Sequence, residues 1–155
     1  MIEATSRMDL NMFAKKLNLS PNQTIQVIQE LAKTGFLQRS EKGYGITEKG
    51  KAAFKVFTTV PEEMSFYFYL GINQPADLTS KTLAEFYGAV KQVSAGSLEF
   101  HLYRGDFENW LKEACKEPEL ADEIGGIKAA ELKGEELRAE LLKVLDAKYG
   151  IQELL

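Results

Sequence analysis

The first part of the chain contains two apolar stripes with helical spacing. The first stripe recurs at i, i+3, i+4 and i+7 and consists of Leu10, Phe13, Ala14 and Leu17. The segment Ser20-Pro21-Asn22-Gln23 has the composition of a helix start. Serine can cap the helix, proline suits the first helical position, and a glutamine three residues after the cap can complete a capping box. The sequence therefore predicts two short helices, the second ending at Gly35.

The second predicted helix has two chemically different faces. At about 100° per residue, its apolar side is formed by Ile25, Ile28, Leu31 and Ala32, with Thr24 among them. Its opposite side is polar and rich in amides, and consists of Asn22, Gln26, Gln29 and Lys33, flanked by Gln23 and Glu30. Two short helices joined by a tight turn, the second with an amide-rich outer face, form a helix-turn-helix pattern.

A hairpin and a third helix are predicted to follow. Residues 36–40 and 44–47 alternate as two short strands around the turn Glu41-Lys42-Gly43, and Thr47 can cap a helix that runs to Phe54. The segment LSPNQTIQVIQELAKTGFLQRSEKGYGITEKGKAAF resembles the winged helix-turn-helix (MarR-like) family of prokaryotic regulators. The resemblance covers residues 8–57, and GITEKGKAAF matches the common end of the wing.

The resemblance implies binding to double-stranded DNA. The amide face would enter the major groove, where Asn and Gln can pair with adenine, while basic side chains contact phosphates and Tyr44 contacts the backbone from the wing. The residues implied are Asn22, Gln23, Gln26, Gln29, Lys33, Arg39, Lys42 and Tyr44. Winged helices also serve as docking surfaces, so a protein-interaction adaptor is the alternative function.

The second part of the chain is predicted to be an all-α helical domain, with at most one aromatic strand. Residues 58–63 form the junction, which divides the chain into domains 1–60 and 61–155. Met64 to Leu70 fits either a strand or a helix, and residues 71–77 are predicted as a loop. A helix starting at Thr79 or Ser80 is predicted, with others over 98–103, after Asp106, after Glu117 and over 131–149. Their apolar faces consist of Leu83, Phe86, Tyr87, Val90, Phe107, Trp110, Leu111, Ala114, Leu120, Ile124, Leu137, Leu141, Val144 and Leu145.

A second resemblance covers residues 66–149. The stretch SLEFHLYRGDFENWLKEACKEPELADEI, followed by EELRAELLKVL, resembles an uncharacterised small helical domain family of prokaryotes. The matching positions are Ser97, His101, Asp106, Phe107, Trp110, Leu120, Ala121, Leu137 and Arg138. This resemblance implies a domain and no reaction.

Charge divides the chain at the same junction. Residues 1–60 carry nine Lys or Arg and five Asp or Glu, a net +4, while residues 61–155 carry ten and eighteen, a net −8. This asymmetry indicates two modules with different partners, one of which could be anionic. We expect a homodimer built mainly by the second module, since regulators that read two half-sites need one.

The composition excludes several kinds of site and of protein. One cysteine and one histidine among 155 residues exclude a disulfide framework, cysteine-cluster zinc sites and paired-histidine metal motifs. The longest apolar stretch is too short for a membrane span, and the N-terminus lacks the apolar core of a signal peptide. We therefore expect a soluble cytoplasmic protein with no membrane partner. No phosphate loop, nucleophile elbow or zinc pattern is present, so neither an enzyme nor a cofactor is expected.

One group of residues resembles a site. His101 and Arg104 would share a helix face, with Asp106 just after a glycine and Trp110 one turn further on. They could form a positive pocket for a small anion, and a ligand near His101 and Trp110 would make the second domain a sensor. The structural alternative makes Asp106 a helix cap, Arg104 the partner of a local carboxylate and His101 a packing residue. Carboxylates near Cys115 are expected to raise the pKa of its thiol.

Overall fold

The computed structural model describes residues 10–155, and the side chains from Ala14 onward. The predicted apolar positions Leu10 and Phe13 therefore lie outside the described side chains. The described chain is mostly helical with two small antiparallel hairpins. It divides into two compact units, Met1–Phe54 and Lys55–Leu155. This division lies within a helix, a few residues before the junction predicted from the sequence.

The described part of the first unit contains three helices and one hairpin. The elements are α1 (Leu10–Leu17), α2 (Pro21–Lys33), β1 (Leu37–Ser40), β2 (Gly43–Ile46) and α3 (Glu48–Phe57), which extends into the second unit. The predicted capping box at the start of α2 is confirmed. The Gln23 N–H donates to Ser20 Oγ at 3.2 Å, and the Ser20 N–H donates to Gln23 Oε1 at 2.9 Å.

The predicted apolar face of the first two helices is partly wrong. Thr24 and Ile28 are the buried positions of α2, while 47% of Ile25 is exposed. On α1, Leu17 is also half exposed. The Thr24 hydroxyl donates to the Ser20 carbonyl oxygen at 2.9 Å, so the threonine can be buried without an unsatisfied polar group.

The hairpin and α3 are joined at Gly50 and Thr47. Thr47 Oγ1 accepts from the Gly50 N–H at 3.0 Å, which confirms Thr47 as the helix cap, and donates to the Gly35 carbonyl oxygen at 2.5 Å. Gly50 is buried, and a Cβ atom there would collide with the Phe36 carbonyl oxygen and lie 2.7 Å from Ile46 Cγ1. Only glycine allows α3 to approach Phe36 and β2 this closely.

The second unit combines the end of α3 with one hairpin and six further helices. The elements are β3 (Phe66–Gly71), β4 (Gln74–Ser80), α4 (Leu83–Gln92), α5 (Ala95–Arg104), α6 (Asp106–Glu113), α7 (Pro118–Gly126), α8 (Gly134–Tyr149) and α9 (Ile151–Leu154), with short 3₁₀ turns at Glu62–Met64 and Ile127–Ala130. The prediction of an all-α domain with at most one aromatic strand is therefore wrong in one respect, because the aromatic strand β3 pairs with a second strand, β4. Residues 71–77, predicted as a loop, contain the turn and the first part of β4.

The boundaries of three predicted helices also need correction. Helix α4 is capped by Thr82, whose Oγ1 accepts from the Glu85 N–H at 3.0 Å, and not by Thr79 or Ser80, which belong to β4. Helix α5 begins directly after Ser94, earlier than predicted. Helix α8 begins at Gly134 instead of Glu131, because Glu131 has φ +53° and ends the preceding 3₁₀ turn.

The core of the second unit is an aromatic cluster around β3. Phe66 and Phe68 project from one face of the strand, and the ring of Phe66 lies 5.7 Å from Phe86 on α4 and 5.6 Å from Trp110 on α6. Edge-to-face ring pairs at these separations add to the stability gained from burial. The predicted apolar faces are confirmed as buried except for Ala114 and Val144, which are half-buried. At the C-terminus, Ile151 is fully buried within its own unit, while Leu155 is exposed.

Candidate functional site

Two side chains of α5 bind the backbone of a single residue in β3. The Ser97 hydroxyl donates to the Tyr69 carbonyl oxygen at 2.6 Å, and the Tyr69 N–H donates to His101 Nε2 at 2.8 Å. Tyr69 faces Pro75 in the hairpin register, and proline has no N–H to donate to the Tyr69 carbonyl oxygen. Ser97 and His101 are one helical turn apart, so α5 takes the place of a strand partner at this position. We call this pair of hydrogen bonds the Tyr69 clamp.

The clamp determines the protonation state of His101. Because Nε2 accepts a hydrogen bond from a backbone N–H, the ring proton must be on Nδ1, which lies 2.8 Å from Asp106 Oδ2. Burial lowers the pKa of His101, and the hydrogen bond to Asp106 opposes this effect. Both ring nitrogens therefore have partners in the neutral form, and protonation of Nε2 would break the bond to Tyr69.

Ser97, His101 and Asp106 have the residue types of a catalytic triad without its geometry. A triad needs the serine hydroxyl to donate to the histidine nitrogen opposite the carboxylate. Here that nitrogen is bound to the Tyr69 N–H, and the Ser97 hydroxyl points to a carbonyl oxygen. Both side chains are also buried. Their arrangement connects α5 to the hairpin and leaves no activated nucleophile.

Two further polar side chains attach helices to backbone carbonyls. The Trp110 indole N–H donates to the Met64 carbonyl oxygen at 2.7 Å. Arg138 donates to the carbonyl oxygens of Val90 and Val93, at the end of α4, at 2.7 Å and 2.6 Å, and also pairs with Glu135. A cation at the C-terminal end of a helix satisfies carbonyl groups that have no partner within the helix. These contacts give Trp110 and Arg138 structural roles.

A cleft of about 440 Å³ opens beside the Tyr69 clamp. Its lining combines aromatic rings, residues of the hairpin turn and one ion pair, and consists of Phe66, Tyr67, Tyr69, Gly71, Ile72, Asn73, Phe100, His101, Arg104 and Asp106. Arg104 stacks over the Phe100 ring at 4.5 Å, and its Nε lies 3.5 Å from Asp106 Oδ2. The volume falls in the range of ordinary small-molecule sites.

Three of the four predicted site residues meet at this cleft. His101, Arg104 and Asp106 line it, whereas Trp110 is not in its lining. The predicted role of Asp106 as a helix cap is wrong. The residue before α6 is Gly105, which has φ +81° and also ends α5, so Asp106 is the first residue of α6 and its carboxylate turns to His101. The lining residues not predicted from the sequence include Tyr67, Tyr69, Ile72, Asn73 and Phe100, although the alternation of residues 66–69 could have indicated an aromatic outer face.

The residues implied in DNA binding lie in the first unit. Seven of them are exposed, namely Asn22, Gln23, Gln26, Gln29, Lys33, Arg39 and Lys42. Tyr44 is half-buried and faces Arg39 across the hairpin. Lys49, which was not among the predicted site residues, donates to the Thr34 carbonyl oxygen at 2.9 Å and so holds α3 to the end of α2.

The environment of Cys115 favours the protonated thiol. Burial, with a smaller contribution from the Glu117 carboxylate, raises the pKa of Cys115 to about 12. The expected cause was the nearby carboxylates, but burial has the larger effect. Glu117 is itself buried and accepts from the Tyr149 hydroxyl at 2.5 Å, with Lys55 Nζ 3.5 Å from its other oxygen. This network joins α7, α8 and the end of α3.

The lowered pKa of His101 makes the stability of the fold depend on pH. Its pKa in the fold is lower than the ordinary value of 6.5, so the unfolded chain binds a proton first as the pH falls. The stability that neutral His101 contributes is complete above pH 6.5. It decreases as the pH falls below 6.5, by at most about 1.4 kcal/mol per pH unit, until the pH passes the folded pKa. We expect the free energy of unfolding in urea to be lower at pH 5 than at pH 7.5.

The matched variant for this prediction is His101→Gln, which does not titrate. The free energy of unfolding should differ less between pH 5 and pH 7.5 in this variant than in the original protein. Equal differences would show that other groups cause the pH dependence. Asp106 and Arg104 are the charged groups that face the ring, and both stay in place in this variant.

The geometry of the second unit is that of a small helical domain closed by a β-hairpin. The chain belongs to the family of unknown function DUF5752, whose sequence model matches residues 48–146, more than half of its length. The match includes the hairpin, the Tyr69 clamp and the cleft. The comparison with curated proteins gave no significant match, and neither did the comparison with solved structures.

Among residues 10–155, no helix has the length and apolar character needed to cross a membrane. Within the same range, no group of three His, Cys, Asp or Glu side chains is placed to hold a metal ion.

Proposed function

We propose that the protein is a DNA-binding regulator that reads double-stranded DNA through α2. The order of elements in the first unit supports this proposal: a short helix, a tight turn, a second helix, a hairpin and a third helix follow one another as in a winged helix-turn-helix. In this arrangement the second helix of the motif enters the major groove, and the hairpin lies beside the backbone. The second unit would then serve dimerisation or effector binding.

The observation that carries the proposal is the exposed face of α2 together with the cations next to it. Asn22, Gln26 and Gln29 are exposed, and an amide side chain can pair with both the N6 and N7 positions of adenine. Among the described residues, Lys33, Arg39 and Lys42 are exposed and no ion pair holds them. By contrast, Lys51 pairs with Glu48 at 3.1 Å. The unpaired cations are available to bind phosphates.

The test is fluorescence anisotropy of the full chain with a mixed-sequence duplex, titrated from low to physiological salt. We expect the logarithm of the binding constant to fall linearly with the logarithm of salt concentration. A triple variant, Lys33→Ala, Arg39→Ala and Lys42→Ala, should bind more weakly. Its salt slope should be shallower by about 0.9 for each DNA phosphate that the variant no longer neutralises.

A matched control removes the same charge elsewhere. Lys112, Lys133 and Lys143 are exposed residues of the second unit, and replacing them with alanine changes the net charge equally. Equal loss of affinity in both triple variants would mean that net charge, and not the surface around α2, governs binding. Absence of binding at low salt would overturn the proposal for these duplexes.

A homodimer belongs to the same proposal, because two-fold symmetry in a regulator matches two half-sites in its operator. Light scattering at micromolar concentration should give twice the mass of one chain. A monomer would contradict this part of the proposal and leave the anisotropy result to decide the rest.

A protein-interaction adaptor is the second candidate function. It is favoured by the exposed apolar side chains of the first unit, since Leu17, Ile25 and Ile46 are each more than one third exposed. Glu30 also offsets the charge of Lys33 on α2, which reduces the attraction to phosphate. Anisotropy without any salt-dependent binding would favour this candidate.

A further inference from the structure

The cleft beside the Tyr69 clamp has two chemically distinct parts. The outer face of β3 and the hairpin turn supply an apolar and aromatic wall, in which Tyr67, Tyr69 and Ile72 are exposed by 55%, 36% and 75%. The other side carries Arg104 stacked on Phe100, with Asp106 next to it. A site with apolar walls and a few polar groups at one end is typical of small-molecule binding.

The two charged side chains keep part of their bonding capacity unused. Asp106 Oδ2 faces both His101 Nδ1, at 2.8 Å, and Arg104 Nε, at 3.5 Å. Within the described part of the chain, Asp106 Oδ1 and the two terminal nitrogens of Arg104 have no hydrogen-bond partner. About 29% of the Asp106 side chain and 54% of the Arg104 side chain remain exposed.

This pairing selects for a ligand with both signs of charge. A simple anion would gain from Arg104 but would be repelled by Asp106, and a simple cation would meet the reverse. A molecule with a carboxylate and an ammonium group on adjacent atoms satisfies both, because the carboxylate can accept from the guanidinium nitrogens and the ammonium can donate to Asp106 Oδ1. An apolar body on that molecule would lie against the aromatic wall.

We propose that the cleft binds a free α-amino acid with an aromatic side chain. Its carboxylate is held by Arg104, its ammonium group by Asp106, and its ring by Tyr67, Tyr69 and Ile72. The proposal concerns the second unit alone and stands independently of DNA binding.

The experiment is isothermal titration calorimetry of the full chain with three probes of similar size. L-phenylalanine carries both charges, 3-phenylpropionate only the carboxylate, and phenethylamine only the ammonium group. We expect L-phenylalanine to bind. Each of the other two probes should bind at least about tenfold more weakly, because each lacks one charge-assisted hydrogen bond. No binding of L-phenylalanine, or equal binding of all three probes, would overturn the proposal.

Variants separate the two charged groups. Arg104→Gln should reduce the affinity for L-phenylalanine to that of the original protein for phenethylamine. Asp106→Asn keeps an acceptor for His101 Nδ1. It should reduce the affinity for L-phenylalanine to that of the original protein for 3-phenylpropionate. The control is Lys91→Gln, because Lys91 is also a cation stacked on an aromatic ring, 4.7 Å from the centre of Tyr87, but does not line the cleft. Unchanged affinity in Arg104→Gln, or equal losses in Lys91→Gln and Arg104→Gln, would also contradict the proposal.

Discussion

Replacing His101 with alanine is expected to lower the free energy of unfolding by about 3–5 kcal/mol at pH 7.5. The substitution leaves the partly buried Tyr69 N–H without its acceptor and Asp106 with Arg104 as its remaining partner, and an unsatisfied buried group costs about 1–3 kcal/mol. It also removes a ring packed 4.9 Å from Phe66, and the resulting cavity adds to the loss. Urea unfolding followed by the fluorescence of Trp110, the single tryptophan, measures the effect.

Two further variants show whether the Tyr69 clamp is the cause. Ser97→Ala removes the other half of the clamp and is expected to cost about 1–3 kcal/mol, since it leaves the partly buried Tyr69 carbonyl oxygen unsatisfied. His101→Gln offers an amide oxygen to the Tyr69 N–H and should recover part of the loss. If His101→Ala unfolds at the same urea concentration as the original protein, the clamp does not stabilise the hairpin.

A second large loss of stability is expected for Gly50→Ala in the first unit. The added methyl group would overlap the Phe36 carbonyl oxygen and press on Ile46, so α3 and the first hairpin must move apart. Overpacking of this kind costs typically about 1–3 kcal/mol, and the contact with backbone places this site at the upper end. Hydrogen exchange of the first hairpin and the end of α2 should accelerate, and duplex binding, if the proposed function holds, should weaken.

Gly88 provides the matched control. It is also a helical glycine, in α4, but a Cβ atom there meets no other atom within 4 Å. Gly88→Ala should therefore be neutral or stabilising by up to about 1 kcal/mol, the ordinary difference in helix propensity. Similar destabilisation in both variants would show that loss of glycine as such, and not the contact with Phe36, is responsible.

Local chemistry made several elements predictable. The capping box at Ser20 and Gln23 depends on residues three positions apart, and the structure contains it as expected. The first hairpin follows from turn residues next to each other in the chain. The buried stripes of α4, α6 and α8 follow from apolar side chains at helical spacing, because a helix with one apolar side must bury that side.

The hairpin β3–β4 shows where local patterns were insufficient. Strand β4 has a polar sequence, begins with Gln74-Pro75 and includes Asp77 with φ +55°, so neither composition nor alternation indicates a strand. It forms because β3 supplies backbone partners, and because the buried ring of Phe68 holds β3 against the helices. In the first unit, the helical spacing placed Thr24 and Ile25 on the same apolar face of α2, but the structure buries Thr24 and leaves 47% of Ile25 exposed.

Some features of the candidate site follow from the sequence, and others follow only from the tertiary structure. The sequence by itself determined most of the helical framework, the caps Ser20 and Thr47, and the proximity of His101, Arg104 and Asp106, because these depend on neighbours within a few positions. Only the tertiary structure decided that His101 serves the backbone of Tyr69, 32 residues away, and that the outer face of β3 completes a cleft. A hydrogen bond between distant segments depends on how the helices pack against the hairpin, and that packing is fixed by the whole aromatic core and not by any local pattern.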